Sequence, residues 1–354
     1  MCRNKQVVAS LALLATVSLT VGPVFAGEQG HYVAAPMAVR DYVMPPKGFY
    51  AVPYNTYYNA DKMIDSSGDT LDSISSTGTS TRNFSLGNHS FPVKVTGTLN
   101  ADVNLNIHSG TQTLVLVWAT DKKFLGADYS ALLVPSWGYM SANVRVKANA
   151  AGTVEALGTT KTFAANQEVA IKDDVTGFGD LMVEPLWLMW RGKNYDLGFS
   201  YTATLPTGTY DKDSVANIGF GFCSQRLQAN GYFYPFESKA TALMFTPTWE
   251  WNSKKIDKNV QPGQTLTIEY GISQYLHPRV ELGISGYNQW QVTDDSGSAA
   301  SDNGKKDTVS GVGGQVTYWV KEKKCALTAK VSKEYRAKDR LEGTFYSLNG
   351  VWIF

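Results

Sequence analysis

The side chains in this chain that could most readily act as metal ligands or general bases are its four histidines: His31, His89, His108 and His277. None is paired at metal-ligand spacing, and the sequence contains neither an HExxH motif nor a Cys/His cluster. The nearest approach to a GxSxG nucleophile elbow, residues 283–286 (GISG), is one residue short of that motif. A Ser-His-Asp triad assembles in space, so an enzyme stays open as an alternative. The sequence nevertheless favours a protein that is not an enzyme and uses no cofactor.

Two acidic clusters carry the oxygen ligands that a divalent cation would use: Asp173-Asp174 and residues 294–297 (DDSG). We interpret both as solvated loop turns, so no metal site is expected. The chain has 32 Lys and Arg against 31 Asp and Glu, a net charge of +1, which gives no electrostatic case for binding nucleic acid. With 43% hydrophobic and only 18% charged residues, a disordered chain is also excluded.

The first 26 residues have the regions of a cleaved secretory signal peptide. Arg3 and Lys5 supply the basic start, an apolar stretch covers residues 7–21, and residues 24–26 form a cleavage site. The apolar stretch is shorter than the roughly 20 residues that a membrane-spanning helix requires. We therefore expect an exported chain that begins with an irregular segment, residues 27–47, lying in the periplasm or plugging a lumen. Its two cysteines, Cys223 and Cys325, are predicted to be unpaired.

From residue 48 to residue 354, apolar and polar residues alternate with a period of two, which indicates strands with two different faces. The predicted strands have about 10 to 13 residues, enough for a tilted strand to cross a bilayer, whereas soluble strands average five or six. Short and long connections also alternate. These features favour an all-β fold, an antiparallel up-and-down transmembrane β-barrel, over a soluble β-sandwich. Such a sheet must close, because lipid offers no partner to an unpaired edge.

The prediction is twelve strands, with both termini on the periplasmic side. The strands are 49–60, 103–120, 125–139, 180–190, 195–205, 217–234, 239–251, 264–275, 280–292, 307–320, 325–335 and 344–354. Short turns are predicted at 121–123, 191–194, 235–238, 276–278 and 321–324. Long polar loops are predicted at 61–92, 141–179, 206–216, 252–263, 293–306 and 336–343.

The alternation over residues 93–107 leaves two interpretations of that region. It is either part of one long, kinked strand or a member of an extra hairpin that raises the count to fourteen. We prefer one strand, because it keeps the rhythm of short and long connections. Residues 143–148 likewise extend the third strand into its loop.

Strand parity directs ten polar side chains towards the lumen. They are Glu184, Asp196, Glu250, Glu269, Glu281, Gln289, Gln291, Gln315, Lys330 and Glu334. Because burial of unpaired charges is costly, these groups must be hydrated or paired. Two interpretations remain: a structural plug of salt bridges and hydrogen bonds, or a narrow polar route whose side chains select a small solute.

Aromatic residues near strand ends are predicted to lie at the two membrane interfaces, which amphipathic rings favour. The candidates are Trp187, Tyr195, Trp249, Trp251, Tyr270, Trp290, Tyr318 and Trp352. The terminal Phe354 is predicted to be the signal that the barrel assembly machinery reads.

Six segments in this order carry a resemblance to a known family. They are PKGFYAVPYNTYYNAD (46–61), TDKKFLGADYSALLVP (120–135), GFGDLMVEPLWLMW (177–190), LPTGTYD (205–211), VELGISGYNQWQVTDDSG (280–297) and KEYRAKDR (333–340). Together they resemble the phenol meta-pathway degradation (MetA-type) family of outer-membrane β-barrel transporters. The resemblance implies a monomeric barrel that passes small, often aromatic or hydrophobic, molecules. One departure is Tyr335 after Glu334, where family members often have glycine.

We therefore expect a channel in the bacterial outer membrane for passive uptake of small, aromatic or hydrophobic molecules. Its expected partners are outer-membrane lipid and lipopolysaccharide, the barrel assembly machinery and the solute. The first alternative is a structural or adhesive barrel that acts through its extracellular loops, and the second is a barrel enzyme.

Overall fold

The computed structural model describes residues 29–86, 89–300, 304–321 and 325–353. The expected signal peptide and Phe354 lie outside the described residues. Within these ranges no helix is long and apolar enough to cross a membrane. The strands are β1 (Gly48–Ile64), β2 (Ser73–Leu86), β3 (His89–Phe124), β4 (Ala127–Val134), β5 (Ser136–Ala156), β6 (Thr159–Phe178), β7 (Leu181–Arg191), β8 (Tyr195–Leu205), β9 (Ser224–Phe233), β10 (Thr241–Asn252), β11 (Thr265–His277), β12 (Val280–Gln291), β13 (Thr308–Lys321), β14 (Cys325–Lys338) and β15 (Arg340–Ile353).

The larger of two compact units, residues 29–69, 107–142 and 173–353, contains a closed ring of twelve antiparallel strands. The order is β1, β15, β14, β13, β12, β11, β10, β9, β8, β7, β4 and β3, and β3 pairs with β1. Strand β1 therefore has a partner on each side, pairing Tyr57 with Tyr346 of β15 and with Gly110 of β3. The ring leaves no edge, as a sheet in hydrocarbon requires, and the predicted twelve-stranded barrel is confirmed.

The preferred interpretation of residues 93–107 is also confirmed. They belong to β3, one strand of 36 residues, so no extra hairpin joins the ring and the count stays at twelve. Residues 143–148 lie in β5, which follows β4 after a single interrupting residue, Pro135.

The smaller unit, residues 70–106 and 143–172, is an antiparallel sheet in the order β2, β3, β5 and β6. Its buried side chains are small or aliphatic, as at Leu99 and Ala148. The loops predicted at 61–92 and 141–179 are therefore wrong, since most of their residues form strands. Strand β2 was missed because Ser and Thr occupy both of its faces. Its hydroxyls instead bond across to β3, as between Thr79 and Thr96 at 2.9 Å.

Several predicted boundaries also differ from the structure. The loop predicted at 336–343 is a tight turn, in which Asp339 adopts a φ of 50° between β14 and β15. The strand predicted at 217–234 begins only at Ser224, and the turn predicted at 121–123 lies at Leu125 and Gly126 because β3 continues to Phe124. The turns at 191–194, 235–238 and 276–278 are present within a few residues of their predicted places, whereas residues 322–324 lie outside the described chain.

The barrel is apolar outside and polar inside. On β10, Leu243 and Phe245 are exposed, whereas Thr246, Thr248 and Glu250 are almost completely buried. A soluble β-sandwich has the opposite arrangement, because water favours its polar face outside. An apolar exterior around a polar interior is the pattern of outer-membrane barrels, with short turns at the periplasmic end and long loops at the other. We call these the turn end and the loop end; the connections 206–223, 253–264 and 292–307 define the loop end.

The turn between β3 and β4 generates a stability prediction. Gly126 has a φ of 78°, and a Cβ atom added there would contact no neighbouring atom, so substitution by alanine acts through the backbone alone. We expect Gly126→Ala to lower the free energy of unfolding by about 1 kcal/mol. Urea unfolding in detergent micelles measures this change.

The matched control is Gly314→Ala, since Gly314 has equally open surroundings and no positive φ. It should leave the free energy of unfolding at least as high as in the unmodified protein. Equal losses in the two variants would contradict the backbone explanation.

Candidate functional site

An irregular segment, residues 29–47, runs through the lumen of the barrel. At the loop end, the backbone N–H of His31 donates to Glu250 Oε1 at 2.8 Å. At the turn end, the Arg191 guanidinium donates to the carbonyl oxygen of Met44 at 2.5 Å. We call residues 29–47 the lumen segment. Of the two locations considered from the sequence, the structure places these residues inside the barrel.

Inward-facing side chains of the barrel bind the backbone of the lumen segment. This arrangement satisfies peptide groups that have no strand partner and polar side chains that are shielded from water. The pairs are Ser332 Oγ to Ala35 O at 3.0 Å, Asn349 Nδ2 to Pro36 O at 3.3 Å, Lys330 Nζ to Met37 O, Val39 N to Gln315 Oε1 at 2.8 Å, and Tyr232 Oη to Val39 O at 2.8 Å.

The middle of the lumen segment is fastened by two tyrosines to one buried carboxylate. The hydroxyls of Tyr32 and Tyr42 both donate to Glu269, the latter at 2.9 Å to Oε1. Gln228 Nε2 donates to the Tyr32 hydroxyl at 3.1 Å, and the Arg226 guanidinium lies 4.7 Å from the centroid of the Tyr32 ring. This cation–π contact places a positive charge within the same cluster as the carboxylate.

All ten predicted lumen residues lie inside the barrel: nine are buried and Gln289 is half-buried. Their charged groups have partners. These are Thr202 and Arg226 for Glu184, Tyr234 for Asp196, His31 for Glu250, Tyr32 and Tyr42 for Glu269, Arg40 for Glu281, Met37 O for Lys330, and Tyr58, Tyr287 and Arg340 for Glu334. The amides bond to Tyr32 O, Arg340 and Thr267 (Gln289), Asp295 (Gln291) and Val39 N (Gln315). Much of this set therefore binds the lumen segment or a neighbouring strand.

A Ser-His-Asp constellation lies at the loop end. His31 Nδ1 is 2.5 Å from Ser224 Oγ, and His31 Nε2 is 2.9 Å from Asp180 Oδ2. Asp180 also accepts the backbone N–H groups of Gly208 and Phe220, each at 2.8 Å. Burial opposes ionisation of Asp180, but the hydrogen bonds from His31, Phe220 and Gly208 outweigh it and hold the pKa of this carboxyl below its usual range.

The lumen contains a cavity of about 1080 Å³ beside the lumen segment, and its surface is mostly apolar. Residues of most barrel strands line it, with the largest shares from β1 and β3. Apolar side chains of the barrel in this lining include Val52, Val115, Val117, Leu132 and Met182. The lumen segment contributes further apolar side chains to the same cavity, Met37, Val43 and Met44. The open space in the lumen is thus bounded by apolar side chains together with polar groups of the surrounding strands.

The predicted interface aromatics differ in how exposed their side chains are. Tyr195, Trp249, Tyr270, Trp290 and Tyr318 are exposed on the barrel exterior and Trp251 is half-buried. Trp352 lies in β15, where its backbone pairs with Ala51.

The prediction for Trp187 is wrong, because this residue is buried inside the barrel with Met44 and Tyr50. A register irregularity around Pro185 inserts an extra residue into β7. Such a bulge exchanges the two faces of the strand beyond it, so Glu184 and Trp187 both point inward.

Sequence reasoning missed Arg226 and the residues that His31 joins. Arg226 could have been found, because Ser224, Arg226, Gln228 and Asn230 alternate with Leu227 and Ala229 along β9. The approach of His31 to Asp180 had no local signal, since 149 residues separate them in the chain.

Comparison with known proteins relates the chain to one family and one fold. A family model described as "Putative MetA-pathway of phenol degradation" matches residues 92–350. The COG4313 outer membrane channel from Pseudomonas putida F1 superposes with a TM-score of 0.62 at 15% identity, covering 90% of this chain and 100% of that one. No curated protein matches the sequence significantly.

A FadL homologue from Pseudomonas aeruginosa gives a TM-score of 0.38 at 11% identity, covering 93% of this chain and 96% of that one. The likeness to the Pseudomonas putida structure shows the fold of an outer-membrane barrel.

The attachment of the lumen segment generates a prediction for Lys330. Substituting methionine leaves the buried carbonyl of Met37 without its donor, which weakens the docking of residues 35–39. We expect the amides of this stretch to exchange with deuterium at least about tenfold faster. Hydrogen–deuterium exchange followed by mass spectrometry measures the rate.

Lys333→Met is the control, because Lys333 lies on the same strand and is exposed on the opposite face. The control should exchange like the unmodified protein, and faster exchange in both variants would argue against a specific role for Lys330.

Proposed function

The chain belongs to the MetA-pathway phenol-degradation family, and we propose that it is an outer-membrane channel for passive uptake of small apolar or aromatic molecules. The mechanism is diffusion down a concentration gradient along the lumen. The barrel acts as a monomer in contact with outer-membrane lipid and lipopolysaccharide, and the barrel assembly machinery inserts it. The fold shared with an outer membrane channel supports this proposal.

The cavity in the lumen, whose surface is mostly apolar, is the observation that carries the proposal. Several inward polar side chains are occupied, because they bind the lumen segment. A solute that enters the cavity of about 1080 Å³ therefore meets Val, Leu, Met and Tyr side chains beside polar groups such as Thr113 and Glu184. Concave sites of this size with apolar walls suit small hydrophobic ligands, and methionine side chains adapt to ligands of different shape.

The proposed solute path keeps part of the polar lining considered from the sequence. Glu269, Glu281 and Lys330 bind the lumen segment, whereas Glu184, Gln289 and Glu334 line the cavity beside its apolar side chains. The inward polar residues then act on selectivity both by holding the segment and by lining the path.

Hydrolysis is the second candidate, because Ser224, His31 and Asp180 have triad-like distances. Ser224 is almost completely buried, and its hydroxyl lies 2.6 Å from Asn252 Oδ1. A serine with its proton directed to an amide oxygen is a poor nucleophile, so this candidate stands second. Covalent labelling of Ser224 by a serine-directed fluorophosphonate would favour hydrolysis over a positioning role.

The channel proposal is tested with protein reconstituted into liposomes, by uptake of neutral aromatic solutes and by conductance in planar bilayers. We expect uptake above that of protein-free vesicles. Impermeability to ions and to aromatic solutes would overturn the proposal and favour the structural or adhesive alternative, in which the extracellular loops act.

The apolar part of the cavity surface generates a sharper prediction at Val115. Val115→Thr keeps the shape of the side chain and adds a hydroxyl facing the cavity, which makes the path less favourable for an apolar solute. Uptake of neutral aromatic solutes should fall by at least about twofold. Initial uptake rates in liposomes measure the change.

Val331→Thr serves as the control. Val331 is exposed on the exterior of β14, so this substitution makes the same chemical change away from the lumen. A similar loss of uptake in this variant would show that the effect comes from destabilising the barrel and not from the path.

A further inference from the structure

The hydrogen bonds around His31 determine where its protons lie. Asn252 Nδ2 lies 2.9 Å from the carbonyl oxygen of Gly263, which can only accept, so the amide nitrogen must face it. The other amide atom of Asn252, the oxygen Oδ1, therefore faces Ser224 Oγ at 2.6 Å. Since this oxygen also only accepts, the single proton of Ser224 is directed to Asn252.

The same reasoning about donors and acceptors determines whether each ring nitrogen of His31 carries a proton. Ser224 has no proton left to give, so the 2.5 Å contact is complete only when His31 Nδ1 carries a proton. Both carboxyl oxygens of Asp180 accept a backbone N–H group, as expected of a carboxylate, so the 2.9 Å contact of Oδ2 requires a proton on Nε2 as well. The complete set of bonds therefore requires an imidazolium, a form that histidine can gain or lose near neutral pH.

The surroundings of His31 are compatible with a positive charge. Asp180 faces the ring from the junction of β6 and β7, and the Glu250 carboxylate on β10 accepts the backbone N–H of His31 at 2.8 Å. The nearby positive groups are Arg226 on β9 and Lys255 after β10; Lys255 Nζ lies 5.9 Å from the centroid of the Phe222 ring. The rings of Phe220 and Phe222, with centroids 4.6 Å and 4.8 Å from that of His31, cover the imidazole.

His31 and Asp180 join three parts of the loop end. His31 belongs to the lumen segment, while Asp180 binds the connection 206–223 at Gly208 and Phe220. Ser224 begins β9 immediately after that connection. A change at the imidazole therefore acts on both the outer end of the lumen segment and a loop at the barrel mouth.

We propose that His31, Ser224, Asp180 and Asn252 form a proton-dependent latch at the loop end of the lumen. In the protonated form, His31 fastens the outer end of the lumen segment to the connection 206–223. Loss of one proton removes one of the two side-chain bonds and directs a lone pair of the ring towards Asp180 or Ser224. The outer end of the segment is then released and the mouth of the lumen opens. As a gate the latch rests on the proposed channel function, whereas the release of the segment does not.

Hydrogen–deuterium exchange of the full chain in detergent micelles at pH 5.5 and pH 8, corrected for the intrinsic pH dependence of exchange, tests the latch. Peptides covering residues 29–34 and 206–223 should lose protection at least about tenfold at pH 8, the effect of losing a charge-assisted hydrogen bond. Peptides from β10 should not change. Equal protection of the two regions at both pH values would overturn the proposal.

Two variants separate the latch from a general pH effect. His31→Gln should show low protection at both pH values, whereas His277→Gln, at the last residue of β11 at the other end of the barrel, should behave like the unmodified protein. Retained pH dependence in His31→Gln, or its loss in His277→Gln, would assign the effect to another group. Heat-modifiable gel mobility checks that each variant is folded.

Asn252→Leu tests the assignment of the protons on Ser224 and His31. Without the acceptor, the Ser224 hydroxyl is free to donate to Nδ1, so a neutral His31 completes both of its side-chain bonds. This variant should stay protected at pH 8, and a pH dependence like that of the unmodified protein would contradict the proton assignment.

Conductance in planar bilayers should rise from pH 5.5 to pH 8 only where protection falls. If the protection of the two regions changes with pH but no conductance is seen at either pH, the latch is supported and the channel function is refuted.

Discussion

Polar groups removed from water must find partners, and this constraint acts on both faces of the barrel wall. On the outer face no side chain or solvent can satisfy a strand edge, so β1 pairs with β15 on one side and with β3 on the other, and the sheet closes. On the inner face the carboxylates, amides and amines need partners of their own, because unpaired charges are costly to bury. Closure of the ring and occupation of the lumen thus follow from the same requirement.

The lumen segment meets this requirement through its backbone as much as through its side chains. Residues such as Ala34, Ala35 and Ala38 are small and buried, so peptide groups come within reach of the barrel's polar side chains. Glutamine, serine, asparagine and lysine side chains then replace the water that an empty lumen would contain. These side chains lie on β9 and β13 to β15, so the segment is held against that side of the barrel, and a cavity with a mostly apolar surface remains beside it.

Alternation could predict the ring, since each strand carries its own two-residue pattern and the pattern is local. It also directed Glu250, Glu269 and Lys330 inward. It failed at Trp187, because one inserted residue at Pro185 exchanges the faces of β7 without any interruption in apolar character. The pattern also failed at β2, where Ser and Thr on both faces leave no difference in polarity between them.

The arrangement at the loop end depended on contacts that no local pattern encodes. His31, Asp180 and Ser224 come from three distant parts of the chain, and each alone looks like an ordinary polar residue. Their distances would equally fit a hydrolytic triad. What separates the two interpretations is a fourth residue, Asn252, whose orientation is set by the carbonyl of Gly263. A nucleophilic serine must give its proton to histidine, whereas Ser224 gives its proton to an amide and accepts one from the ring.

This proton count also explains why a latch would act at one end of the lumen segment. Through residues 35–39 the segment is held by hydroxyl, amide and lysine side chains, and at Met44 its carbonyl is held by an arginine, which stays charged. His31 is the one histidine in the described part of the segment, so the proposed latch acts at the outer end of the segment. The apolar path beside the segment then gains an opening at its mouth without losing the wall that defines it.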